Sequence, residues 1–299
     1  MDRIFQIGDF TFRLICPEEV MPPDNFMLFA CDTEPRLRCM PEYTYIIEVS
    51  EQLPAPEGEP AAQRPDLTVF RNGIYETRLI GVKGMDGYYA CYRETAPDRA
   101  EITLAKERIS SLNIDPVFSS LFAFERRLAA RGNMILHCAY VEYKGEAILF
   151  SAPSGTGKTT QANLWEKYRG SRTVNGDRAL LGRKDGRWTA QGWPVCGTSE
   201  VCHNEDTPIR AVVMLSQAKE NHAERMTPGK AFPLLYSQIT VNKWNVEDHV
   251  HTLDLIEEFL GSVPVIHLGC TISEEAVTCL ERALSELEKT LSELEKTGA

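Results

Sequence analysis

The chain has 299 residues, 43% hydrophobic and 25% charged, with a formal net charge of −11. That length allows a sizeable core and two structural units, and the composition is that of a soluble globular chain. The acidic balance argues against nucleic-acid or anionic-membrane partners, which favour a basic face; no uncharged run is long enough to span a bilayer, and MDRIFQIGDF lacks a signal-peptide layout.

A cytoplasmic setting is therefore expected. The nine cysteines form no C-x-x-C pair, so neither a disulfide framework nor a zinc site is expected. Residues 1–115 read as a β-rich N-terminal domain. Two short strands span Ile4 to Ile15 across Gly8-Asp9, and Tyr43 to Val49 has strand composition. Leu53 to Pro65, rich in proline, reads as an exposed loop. Strands follow at 67–71, 74–79, 87–93 and 101–104, with Asn72-Gly73 as a hairpin signal, and the whole reads as an antiparallel sheet.

Residues 116–299 read as a nucleotide-binding domain. Asp115-Pro116 opens a packing helix to about Arg131, stopped by Gly132. Met134 to Phe150 reads as a strand that His137 ends or interrupts, a second strand, a Lys144-Gly145 turn and a third strand. A hairpin before the loop that follows implies a mixed sheet flanked by helices. Further on come a turn at 184–187 between short strands, a buried strand at 209–216, and helices at 227–239 and 245–259. A strand at 263–268 follows, then a helix opened by Thr271-Ile272-Ser273-Glu274. The heptad LSELEKT at 284–290 is repeated at 291–297 and reads as a solvated helical end.

The domain centres on Ser151 to Thr160, SAPSGTGKTT, between an uncharged strand and a helix beginning near Gln161. A strand–loop–helix with this spacing reads as a phosphate-binding loop, the alternative being a glycine-rich strand-to-helix turn that binds nothing. Gly155 and Gly157 let backbone N–H groups converge on an anion, and the helix N-terminus adds partial positive charge. Ser154, Gly155, Thr156, Gly157, Lys158, Thr159 and Thr160 are the expected ATP-binding residues. Lys158 supplies an ammonium to the outer phosphates, and Thr159 a hydroxyl for Mg²⁺. Ala152 stands where the usual pattern has glycine.

Phosphoryl transfer also needs a carboxylate for the metal and a base for the acceptor proton. Asp177, after a short extended segment, is the leading carboxylate and second metal ligand. His137 reads either as a satisfied core histidine or as a group that the hairpin returns to the terminal phosphate. The other five histidines have no comparable argument.

The run from His137 through Asp177 resembles the kinase domain of the HPr kinase/phosphorylase family, related in fold to phosphoenolpyruvate carboxykinase. The resemblance rests on His137, the Tyr140 to Phe150 hairpin, PSGTGKTT and the acidic position Asp177; VPVIHLGCTISEEAVTCLERAL and WPVCGTSE are also similar, and the coverage is about 134–284. It implies a P-loop kinase fold and an ATP- and magnesium-dependent transfer of the γ-phosphoryl group. The acceptor would be a hydroxyl, such as serine, of a peptide, protein or small molecule. Catalytic roles fall to His137, Lys158 and Asp177. The family's paired aspartates are here Gly176-Asp177, so His137 or Asp177 itself would serve as base. Trp193, Cys196, Thr198 and Glu200 either line the acceptor side or pack at the surface. No signature for HPr itself is recognisable, and self-association into a homo-oligomer is left open. The alternatives are a catalytically weak nucleotide-binding regulatory or scaffold protein and a carboxykinase-type lyase.

Overall fold

A computed structural model describes residues 1–31 and 40–297, with 290–297 described by their backbone alone. Two compact units emerge, Met1–Arg131 with Asn242–Val246, and Gly132–Val241 with the chain from Glu247 onward. The sequence-based limit at 115/116 lies inside the first unit, because Phe118, Phe122 and Phe124 pack among its core rings.

The first unit contains β1 (Asp2–Ile7), β2 (Phe10–Ile15), α1 (Asp24–Met27), β3 (Tyr43–Ser50) and β4 (Glu59–Arg64). It continues with β5 (Leu67–Asn72), β6 (Tyr75–Gly81), β7 (Tyr88–Ala96), β8 (Arg99–Ala105), α2 (Asp115–Ser119) and α3 (Phe124–Ala129). Its eight strands lie in the order β1-β2-β3-β8-β7-β6-β5-β4. The sheet is mixed rather than antiparallel, since β2–β3 and β3–β8 are parallel pairs. The expected loop at 53–65 contains β4, an exposed edge strand held by backbone pairing with β5 and so silent in apolar pattern. The expected helix at 115–131 is broken. A single 3₁₀ turn, Ser120–Phe122, and Ala123 at φ 49° separate α2 from α3, which lets Phe118, Phe122 and Phe124 face one core.

The second unit contains β9 (Met134–Tyr143), β10 (Glu146–Ser151), α4 (Lys158–Arg169), β11 (Arg172–Asn175), β12 (Arg178–Lys184) and β13 (Arg187–Gln191). Then come β14 (Thr207–Gln217), β15 (His222–Arg225), α5 (Pro228–Gln238), α6 (Val246–Ser262), β16 (Val265–Cys270) and α7 (Glu274–Thr297). Its sheet runs β10-β9-β12-β13-β14-β16-β15, and β10 also pairs in parallel with β14. The antiparallel β9–β10 hairpin beside that parallel pair makes the sheet mixed, as the sequence implies. β9 is one continuous strand; His137 sits in its middle and does not break it.

Alternate residues of the central strands feed two cores. Leu136, Cys138, Tyr140, Leu149, Val212 and Met214 pack with Leu235 of α5 and Ile256 and Phe259 of α6. Ala139, Val141, Ile148, Phe150, Val213 and Leu215 pack with Trp165 of α4 and Val277 and Leu280 of α7. Burial on both faces is why these strands read as nearly continuous apolar runs. The repeat Leu291–Thr297 is helical in backbone, and its expected solvation lies outside the described side chains. No described helix is long and apolar enough to cross a membrane.

Candidate functional site

At the C-terminal end of β10 the chain turns through 152–157 and enters α4 at Lys158. Gly155 (φ 79°) and Gly157 (φ 120°) hold left-handed conformations that a side chain would strain. A β-carbon at either would meet nothing within 4 Å, so open space lies in front of the turn. Ala152 is fully buried and is not among the positive-φ residues, which explains why a β-carbon is tolerated there. The α4 helix starts with its first-turn N–H groups lacking intrahelical acceptors. Ser154 and Thr159 are exposed, and Thr156 and Thr160 half-buried.

Lys158 is buried and folded back on the turn, donating from Nζ to the Ala152 carbonyl at 2.9 Å. Burial lowers its pKa below the ordinary lysine value, and Asp177 partly opposes that shift. Such an ammonium has little solvation to lose when a phosphate oxygen replaces a carbonyl.

Strand register brings the other two residues here. Ser151, the last residue of β10, pairs with Cys138 of β9, and its hydroxyl donates to the His137 carbonyl at 2.8 Å. On the other side of β9, His137 pairs with Arg178, the first residue of β12. Asp177 therefore stands beside His137, with His137 Nε2 3.6 Å from Asp177 Oδ1. Asn175 fixes the turn into β12, its Oδ1 accepting from the backbone N–H groups of Asp177 and Arg178, each at 2.9 Å.

His137 Nδ1 lies 3.3 Å from Gln238 Oε1 of α5. In the Nδ1–H tautomer this amide oxygen accepts the hydrogen bond and Nε2 keeps its lone pair, the form a proton acceptor needs. Burial lowers the His137 pKa below the ordinary histidine value, Lys158 and Arg178 lower it further, and Asp177 and the Gln238 contact oppose them. Asn175, Arg178 and Gln238 carried no local sequence signal for this site.

Two oxygens are unspent. Neither the Thr159 hydroxyl nor Asp177 Oδ1 makes a hydrogen bond to any described residue. Among the described residues no three His, Cys, Asp or Glu gather as a protein-only metal cage. One hydroxyl, one carboxylate and phosphate oxygens is instead the donor set that suits Mg²⁺.

The 193–200 loop lies against Asp177. A β-carbon on Gly197 would stand 3.0 Å from Asp177 Oδ1, and one on Gly176 would stand 1.9 Å from Ser199 Oγ. Trp193 and Cys196 are buried, whereas Thr198 and Glu200 are exposed.

Two mixed sheets, the second with helices on both faces, define an α/β protein. The family model described as SynChlorMet cassette protein ScmC matches residues 103–275, more than half the chain, and the chain belongs to that family. Comparison with curated proteins gives no match. Among solved structures, the HPr(Ser) kinase/phosphatase from Coxiella burnetii is weakly similar, with a TM-score of 0.32 and 10% identity over 55% of this chain and 95% of that one.

Proposed function

We propose that the second unit is an ATP-dependent phosphotransferase that passes the γ-phosphoryl group to a hydroxyl, serine-like in chemistry, of a peptide, protein or small molecule. The observation that carries this reading is the meeting of Lys158, His137 and Asp177, from three separate stretches, at the mouth of a glycine turn that opens a helix. The main-chain amides of 154–160 hold the polyphosphate, and Lys158 turns from the Ala152 carbonyl to the outer phosphates. Thr159 and Asp177 would hold Mg²⁺, which would supply charge neutralisation at the phosphates. His137 Nε2 accepts the acceptor's proton, and Asp177 then steadies the resulting imidazolium.

One observation favours a second reading, a nucleotide-binding regulatory protein without turnover. Position 176, where the resembling family carries its first aspartate, has no room for a side chain beneath Ser199. The experiment that separates the two is calorimetry with ATP·Mg²⁺, followed by a search for labelled product from γ-labelled ATP in a lysate. Binding with transfer supports the kinase, binding without transfer supports the regulatory protein, and no uptake at millimolar nucleotide overturns both.

A further inference from the structure

A second cation borders the space between Lys158, His137 and Asp177. Arg178 begins β12 directly opposite His137, and its Nε donates to Asp177 Oδ2 at 3.0 Å. Carboxylates usually engage a guanidinium through two parallel N–H groups. Here only Nε is used, and neither Nη1 nor Nη2 makes a hydrogen bond to any described residue. The side chain is 36% exposed, so the spare nitrogens are reachable. Its backbone N–H is fixed by Asn175 Oδ1, which sets the point from which the side chain departs.

In phosphoryl transfer, charge spreads over the three equatorial oxygens of the group in transit. A single ammonium on a flexible stem covers one side of that group, whereas a guanidinium fork matches two oxygens at once. The chain as a whole is acidic, so this cover must come from local cations. We propose that Arg178 is a catalytic residue of this site, anchored through Nε on Asp177 and turning Nη1 and Nη2 to the oxygens of the transferring phosphoryl group. This rests on the phosphotransferase reading above. In the step, the acceptor oxygen forms a bond to the γ-phosphorus and the bond to the β,γ-bridging oxygen breaks. The bridging oxygen leaves on ADP with the electron pair, and the acceptor's proton passes to His137 Nε2. Arg178 gains and loses no proton.

The test is a titration of the full chain with ADP·Mg²⁺, with and without aluminium fluoride, a planar mimic of the phosphoryl group in transit. Wild type is expected to bind ADP·Mg²⁺ more tightly when fluoride complex is present. Arg178→Gln is expected to lose about tenfold or more of that enhancement, measured relative to its own binding of ADP·Mg²⁺ alone, the scale of a charge-assisted fork contact. Arg178→Lys, which keeps the charge, recovers part of it. An undiminished enhancement in Arg178→Gln overturns the inference and leaves the nucleotide site standing. Equal weakening of ADP·Mg²⁺ with and without fluoride also overturns it, because that pattern belongs to a residue that merely positions Asp177. Wild type that binds no ADP overturns the phosphotransferase reading and the inference with it.

Discussion

Gly176 and Ser199 interlock: a β-carbon on the glycine would stand 1.9 Å from the serine Oγ and 2.2 Å from its Cβ. Ser199 cannot swing away cheaply, since its hydroxyl donates to the Cys196 carbonyl and accepts from the Val201 N–H. The glycine is thus required by packing and not by backbone angle, as it is absent from the positive-φ positions. Gly176→Ala should cost about 1–3 kcal/mol, the usual range for overpacking. Ser199→Gly, which removes both clashing atoms, should restore most of it in the double variant. Urea midpoints at constant slope check this, and a freely tolerated Gly176→Ala would contradict it.

Lys158→Ala removes the ammonium and leaves the glycine turn in place. It should weaken ATP·Mg²⁺ binding by tenfold or more, about 1.4 kcal/mol for each factor of ten. Asp177→Asn should leave binding of metal-free nucleotide unchanged while removing the gain in affinity that Mg²⁺ brings. Calorimetry in EDTA and in Mg²⁺ separates the two variants. Equal behaviour of Asp177→Asn and wild type in both buffers would remove Asp177 from the metal.

The pH dependence follows from His137. Burial and the neighbouring cations hold its pKa below the usual histidine value of about 6.5, so Nε2 stays unprotonated into mildly acidic solution. Turnover should hold as pH falls through about 6.5 and decline only below it. His137→Gln should lower turnover by about 10²–10⁴-fold and abolish that acidic limb. The same shift acts on stability. The unfolded chain takes up this proton first, so the second unit loses stability as pH falls from the ordinary histidine value through the lowered one. A pH–rate profile unchanged in His137→Gln would show that another group takes the proton.

The loop, its strand and its helix were legible because each obeys a local rule: an uncharged strand buried on both faces, two glycines at left-handed angles, a lysine at the helix start. The β9–β10 hairpin was legible for the same reason, through Lys144-Gly145. What escaped was set at a distance. Gln238 meets His137 Nδ1 from 101 residues away, and nothing near either residue records the pairing. β4 carries no apolar alternation because it is an exposed edge strand paired through its backbone to β5, with Arg64 over the Trp244 ring as a polar side-chain contact. The break at Ala123 lets phenylalanines 118, 122 and 124 reach one core, whereas a straight helix would align 118 with 122 and turn 124 to another face. The two parallel pairings of β3 were hidden because each strand's own pattern is the same whichever way its neighbour runs.

The first unit buries charges that sequence alone would leave at the surface. Glu76 is fully buried, its Oε2 accepting from Arg78 Nε at 2.9 Å and Nη2 at 2.6 Å, and from the Trp244 indole at 3.4 Å. Its Oε1 accepts from Asn242 at 3.1 Å and faces Arg126 Nη1 at 3.0 Å. Burial alone would raise its pKa, but Arg78 and Arg126 outweigh that and bring it from an ordinary 4.5 down to about 2. A depressed carboxylate contributes stability that is complete above the unfolded pKa and is lost as pH falls through the folded one. The first unit should therefore weaken between pH 4.5 and about 2, by about 3 kcal/mol from this group. Glu76→Gln keeps the shape but removes one acidic partner of each arginine, leaving Arg78 with Glu125 and Arg126 with Glu94, and should cost about 3 kcal/mol at neutral pH, the low end for breaking a buried pair. The variant should also show a flatter loss of stability in that acid window. Urea unfolding of wild type and Glu76→Gln across pH 2–7 measures both effects, and parallel pH curves for the two proteins would show that Glu76 is not the group responsible.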